Sequence, residues 1–373
     1  MILAIESSCD ESAIAVFDPS IGLVEESVFS QIDLHAQYGG VVPDLASREH
    51  LKCFPLLLDQ LDLSNYAPKL TQIAVTYGPG LAGCLSIGAM LAKGLSFAYE
   101  LPLVGINHLR AHAWSPFISM HASNRGSFSS VLNDSLPHLG LLVSGGNTLL
   151  FEINCKKEIQ ILAETVDDAA GEALDKGGKL LGLAYPAGPK IESLARQGDP
   201  FAYEFPKAMA RRKDARFSFS GLKTSLRYKL DAMDASEIAQ NLTCICASYQ
   251  FSVMQQLIQK TKFMLDAKAY RSIGLSGGVA NNQYLRQALD KLACNYSIPF
   301  LGSSAQHSGD NAGMIAFAAF VDARGGCKDR PKQALKIVSL KNNKPKKYST
   351  IVPQPASRSP RHRPGASAPP RRP

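Results

Sequence analysis

The 373-residue chain lacks an apolar run long enough to cross a membrane, because charged or polar side chains interrupt every hydrophobic segment. No basic stretch precedes the first apolar residues of MILAIESSCDES, so neither a signal nor a transit peptide is expected. The eight cysteines are scattered without a C-x-x-C pair, which argues for reduced thiols in a cytoplasmic protein rather than a disulfide framework. Acidic residues are missing from 341–373, where nine of the 40 Lys and Arg lie, leaving 31 bases against 32 acids in the rest. The net charge of +8 is therefore a property of that Pro-, Arg-, Lys- and Ser-rich tail, which is expected to be disordered. A nearly neutral body does not bind nucleic acid strongly by phosphate electrostatics alone; a basic patch, the tail or a partner must add to it.

What is present suits a large α/β protein. A composition 45% hydrophobic over this length can bury a sizeable core and suggests about two domains. Residues 2–5 and 13–17 read as strands joined by the small acidic turn Glu6–Ser12, and a third strand runs near Leu23–Phe29. Leu45, Leu51, Phe54, Leu57, Leu58 and Leu61 are spaced for a helix over 44–61. A strand at 73–76, an Ala- and Gly-dense helix at 81–99 and a strand at 103–106 follow. From Leu139 the pattern restarts as strand, Gly turn, strand (LGLLVSGGNTLLFEI). A helix is expected over 167–183, with Asp167 or Asp168 near its N-terminus, where the helix dipole favours a carboxylate. A basic stretch covers Met209–Arg216, a long helix 236–267 and a strand 273–275, and helices begin at about Asn282 and at Ala312. Two halves with the same opening point to a duplicated fold.

The stretch NHLRAHAWSP places His108 and His112 four residues apart, on one face of a helix, where both can reach one ion. Asn107 is a plausible cap and Pro116 a stop. The same spacing also describes two ordinary helix-face histidines. Peptide hydrolysis in the zincin manner is not expected, since Leu109 stands where H-E-x-x-H carries its general base, and a protease is the most distant of the readings. Ser144-Gly145-Gly146 and Ser276-Gly277-Gly278 each follow an apolar strand, and glycine lets backbone amides approach a phosphate or base closely. No Walker A sequence occurs, and no dinucleotide-binding turn is expected to compete. Two β-turn-β loops with a third Gly-Gly turn are the arrangement of the actin, sugar-kinase and heat-shock ATPase (ASKHA) superfamily, with two lobes around a nucleotide cleft.

The motifs IESSCDES, GGVVPDLASREH, YGPGLAGCLSIG, NHLRAHAWSP, LLVSGGNT, DDAAGEALDKGGKLLGLAYPAGP, FSFSGLKTS, SGGVANN and GDNAGMIA occur in an order that closely resembles the TsaD family. The resemblance covers about residues 1–325 and implies transfer of threonylcarbamoyl from threonylcarbamoyl-AMP to N6 of adenosine 37 in tRNAs reading codons that start with A. It implies one divalent metal per subunit, iron(II) or else zinc, on His108, His112 and Asp310. It implies adenylate contacts at Leu142, Val143, Ser144, Gly145, Gly146, Asp175, Gly188 and Asn282, and makes Asp10 and Glu11 the candidates for a general base. The lobes would be 1–106, completed by about 306–325, and 107–305, with the metal and adenylate sites. Expected partners are tRNA, an inactive companion paralogue and a small P-loop ATPase, TsaB- and TsaE-like, with no membrane.

Three positions depart from the family pattern: Arg110-Ala111 replaces Glu-Gly between the histidines, Asn147 stands where many bacterial members have His, and His307-Ser308 leads into Gly309-Asp310. A small-molecule kinase of the same superfamily would use Asp10 or Asp175 with magnesium and ATP. A nucleotide-switched scaffold would change no RNA.

Overall fold

The computed structural model describes residues 1–206, 216–322 and the backbone of 326–329. The tail 341–373 and all but the last residue of the stretch Met209–Arg216 lie outside them. Strands β1 (Ile2–Glu6), β2 (Glu11–Asp18) and β3 (Gly22–Ser30) form an antiparallel meander. Strand β4 (Gln72–Gly78) pairs parallel with β1, and β5 (Leu103–Asn107) parallel with β4.

The second half repeats this plan. Strands β6 (His138–Val143), β7 (Thr148–Ile153) and β8 (Ile159–Glu164) form the meander, β9 (Ser272–Ser276) pairs parallel with β6, and β10 (Phe300–Gly302) with β9. The registers match as well: Ile2 faces Phe17 and Gln72, as His138 faces Ile153 and Ser272. Strand β11 (Gly326–Asp329) returns antiparallel to β5, giving orders β11-β5-β4-β1-β2-β3 and β10-β9-β6-β7-β8.

Period-two alternation decides which core each strand feeds. In β1, Leu3 and Ile5 join Phe54, Leu57 and Leu61 of the helix Pro43–Leu61. Ile2 and Ala4 face the other way, into a cluster with Trp114, Phe317, Leu142 and Phe151 that spans both sheets. Strands covered on both faces read as continuous apolar runs, which is why ILAI and LGLLV were legible. The third cluster lies between β6, β9 and the helices Ala170–Leu180 and Ala235–Ala267, with Leu141, Leu174, Tyr249 and Met254 in it.

Several sequence expectations need correction. The helix at 43–61 buries Ala46, His50, Cys53, Phe54, Leu57 and Leu61, whereas Leu51 is 62% exposed; the stripe includes a histidine, which an apolar count passes over. Helix Ala170–Leu180 begins after Asp167, and Asp167 caps a different element. Its Oδ1 accepts from the amides of Phe219 (2.7 Å) and Ser220 (3.2 Å), at the start of helix Ser220–Asp231. Burial works against that carboxylate, but these bonds and those from the Ser218 and Ser220 hydroxyls hold its pKa below the ordinary value. Asp168 pairs with Lys176 at 2.7 Å. The turn Gly78–Gly83 also has the G-x-G-x-x-G spacing between a strand and a helix, contrary to the expectation that no such turn occurs. Two of its glycines serve packing instead: a Cβ at Gly80 would lie 2.5 Å from the Ser8 carbonyl oxygen, and one at Gly83 would overlap Ser47 Oγ.

Candidate metal centre and glycine loops

Asn107 ends β5 and accepts a hydrogen bond from the Arg110 amide at 3.1 Å, so the helix His108–Trp114 starts where the cap was expected. Pro116 lies in the single turn Ser115–Phe117 that ends it. One helical turn brings the two imidazoles edge to face, with centroids 4.7 Å apart. Asp310 reaches them from a segment nearly two hundred residues away in sequence, just before helix Ala312–Val321. Its Oδ1 lies 2.9 Å from His112 Nε2 and 3.3 Å from His108 Nε2.

These three donors lie within 4.8 Å of one another and form a group that can hold a metal ion. Ligand bonds of about 2.1 Å put neighbouring donors about 3.0–3.4 Å apart, close to the spacing seen. The donor set also fits chemically, since two imidazoles and one carboxylate suit iron or zinc with positions left for substrate.

The other nitrogen of His108 is fixed by a residue that the sequence did not single out. Glu6, wholly buried at the end of β1, accepts at Oε1 from the Ser8 amide (2.5 Å) and at Oε2 from the Thr76 hydroxyl. Oε2 also lies 3.3 Å from His108 Nδ1, and Ser8 Oγ lies 3.2 Å from the same nitrogen. A carboxylate behind a ligand imidazole sets its tautomer and leaves Nε2 free to bind. The available signal was a glutamate closing the otherwise apolar strand ILAIE. Burial disfavours charged His108, but the carboxylates of Asp310 and Glu6 outweigh it and hold its pKa well above the ordinary value. His112, buried and beside His108, is pushed down instead, with the Asp310 bond only partly opposing.

Asp10 and Glu11 stand at the β1–β2 turn, which is tied down from outside. His50 Nε2 lies 3.1 Å from the Cys9 carbonyl, its Nδ1 lies 2.7 Å from Ser12 Oγ, and the Gln31 amide donates to the Asp10 carbonyl at 3.0 Å. Burial, followed by the charges of Asp310 and Asp10, raises the Glu11 pKa well above the usual carboxylate range. Tyr185, from the segment YPAGP in the other half, is also raised, by burial and then by Asp10 and Asp175. Its hydroxyl thus senses acids from both halves of the chain.

The glycine turns gather at the ends of β6 and β9. Ser144 and Asn147 close the β6–β7 turn on itself, amide to carbonyl at 2.8 Å and amide to Oγ at 3.1 Å. A Cβ at Gly145 or Gly146 would meet nothing within 4 Å. Gly171 lets the helix Ala170–Leu180 approach, since a Cβ there would lie 2.5 Å from the Ser144 carbonyl. Gly277 has φ +89°, and a Cβ there would overlap the Val143 carbonyl oxygen. Leu142 and Val143 are fully buried in two different cores, which leaves only their backbone to face a ligand. Asp175 Oδ1 accepts from the Ala187 amide at 2.8 Å, next to Gly188 at the start of helix Gly188–Ala195, and burial raises its pKa. Asn282 is engaged at both side-chain ends, accepting from the Leu285 amide and donating to Gln250 Oε1, each at 3.0 Å.

A duplicated α/β fold with paired β-turn-β openings defines the ASKHA class, and solved structures share it. Full-length HypF in its phosphate- and nucleotide-bound form superposes with a TM-score of 0.56 at 13% identity, over 86% of this chain and 46% of that one. Within that class the chain belongs to the TsaD family, tRNA N6-adenosine threonylcarbamoyltransferase, which matches residues 22–317. It is 43% identical over 324 residues to the enzyme of that name from Dichelobacter nodosus, covering 85% of this chain and 90% of the relative. With the Thermosipho africanus enzyme it shares 38% over 322 residues, 86% and 93% of the two chains. The protein is an acyltransferase that forms N6-threonylcarbamoyladenosine in tRNA. Among the described residues no helix is long and apolar enough to cross a membrane.

Proposed function

We propose that the donor is threonylcarbamoyl-AMP and the acceptor N6 of adenosine 37 in tRNAs that read codons starting with A. A new N6–carbonyl carbon bond forms, the bond from that carbon to the phosphate oxygen breaks, AMP leaves, and one N6 proton is lost. The observation that carries this reading is the convergence of His108, His112 and Asp310 in a chain of this family. They would hold one iron(II) ion, with zinc the alternative, and such an ion supplies Lewis-acid polarisation of a carbonyl.

The remaining work falls to the chain's own groups. The open amides of Gly145 and Gly146 offer donors to the adenylate, reached from the ends of Leu142 and Val143, while Ser144, whose amide is spent on the Asn147 carbonyl, offers its hydroxyl. Asp175, which already accepts from the Ala187 and Gly188 amides at the start of helix Gly188–Ala195, is read as the acceptor for a ribose hydroxyl, with Gly188 beside it. Asn282, which caps the helix Gln283–Asn295 just past the Gly277–Gly278 turn, is read as a further adenylate contact. An exocyclic amine is a weak nucleophile, so orientation matters most. Glu11, whose carboxyl is made more basic than usual by burial and by the charges of Asp310 and Asp10, is the group suited to accept the N6 proton.

We read residues 1–106 with 306–325 as one lobe and 107–305 as the other. A cytoplasmic companion paralogue and a P-loop ATPase fit the outward face of helix Ala82–Ala98, where Met90 and Phe97 are 72% and 66% exposed. The deciding experiment is nucleoside mass spectrometry of tRNA from cells depleted of this protein. Loss of threonylcarbamoyladenosine, restored by wild type but not by His112→Ala, supports the reading. Unchanged modification overturns it and brings the kinase alternative forward.

A further inference from the structure

The metal ligands sit on two segments that have no covalent reason to stay in register. His108 and His112 belong to the short helix after β5, and Asp310 precedes helix Ala312–Val321. Between the two histidines in sequence stands Arg110, whose side chain leaves the site. Its Nε donates to Asp322 Oδ2 at 2.6 Å and its Nη2 to Asp322 Oδ1 at 2.9 Å, a bidentate pair. Asp322 is the C-cap of the helix that Asp310 leads into, and its side chain is only 4% exposed. A carboxylate there opposes the helix dipole, so a fixed cation is needed beside it. Arg110 is held at its other end too, since its amide is the one that Asn107 caps. The partner segment is pinned at its start by Asn311, which accepts from the Met314 amide (2.7 Å) and donates to the Gly309 carbonyl (2.8 Å).

We propose that the Arg110–Asp322 ion pair is a positioning device that sets the register of the histidine helix against the Asp310 segment. It builds on the reading of His108, His112 and Asp310 as metal ligands. Ala111, Ala113 and Trp114 share one buried cluster with Ala312, Met314, Ile315, Ala316, Phe317 and Ala318. Apolar burial of this kind is non-directional, whereas a two-bond fork fixes both distance and rotation. Arg110 is therefore a partner of Asp322 rather than a group facing substrate.

The test is cobalt(II) binding to the full chain, followed by the visible absorption of the bound ion and by chelator competition. Arg110→Gln and Asp322→Asn should each weaken binding about tenfold to a hundredfold and shift the absorption bands. Arg110→Asp combined with Asp322→Arg should restore both affinity and bands toward wild type, which separates register from a general loss of stability. His112→Ala serves as the reference that loses a ligand. Wild-type affinity and bands in both single variants, even with a lowered melting temperature, would show the pair to be structural only and overturn the proposal. Binding that His112→Ala leaves unchanged would overturn the ligand reading itself, and this proposal with it.

Discussion

The two β-turn-β openings have the same topology and opposite surroundings. The first, between β1 and β2, is tied to its neighbours at nearly every position. Ser7 Oγ donates to the Cys84 carbonyl, the Leu81 amide to the Ser8 carbonyl, and His50 holds the Cys9 carbonyl. The second, between β6 and β7, closes on itself through Ser144 and Asn147 and leaves Gly145 and Gly146 facing open space. A tied turn can hold acids such as the buried Glu6 and the half-buried Glu11 in fixed places. An open glycine turn offers bare amides, as a phosphate needs. Duplication supplied two copies of one motif, and burial made one a holder of charge and left the other open.

This contrast can be tested from its strongest effect downward. His112→Ala should abolish bound metal and lower threonylcarbamoyladenosine formation on the order of a thousandfold, measured by metal analysis and nucleoside mass spectrometry. An active, metal-free His112→Ala protein would remove the metal side of the comparison. Gly277→Ala forces a side chain into a left-handed backbone against the Val143 carbonyl, and should cost about 3 kcal/mol in urea unfolding. Glu6→Gln keeps the shape but removes the charge behind His108, and should weaken cobalt(II) binding roughly tenfold to a hundredfold with little loss of helix signal.

Glu11 gives a pH test. Its proton is held more tightly in the folded than in the unfolded chain, so wild-type stability should fall as pH rises from about 4.5 toward the raised folded value. Glu11→Gln removes that loss, and at pH 7.5 should be about 1 kcal/mol more stable than wild type yet slower in transfer. An unchanged pH profile would place Glu11 in solvent. The smallest effect is expected for Gly145→Ala, within about 0.5 kcal/mol in stability because the added methyl meets nothing. Its Km for the adenylate should nevertheless rise; an unchanged Km would mean that this loop does not meet the donor.

Much of this was readable before any fold was known. Strands buried on both faces are apolar throughout, and helices Ala235–Ala267 and Ala312–Val321 carry long apolar patterns, so their positions were close to those expected. Short or half-exposed elements escaped. Strand β8 shows only one fully buried residue in IQILAE, and β10 has three residues. Helix Ser220–Asp231 was missed because its cap is Asp167, some fifty residues upstream.

The sequence by itself determined the repeated halves, the spacing of His108 and His112 and the glycine turns, because each is written in local periodicity or in residues close together along the chain. Tertiary structure alone decided that Glu6 stands behind His108, that His50 pins the first turn, that Asp175 and Asn282 are engaged by helix starts, and that Arg110 turns away to Asp322. Those are pairings across tens to hundreds of residues. They are set by which faces of two sheets and their helices must be buried together, and no local pattern records them.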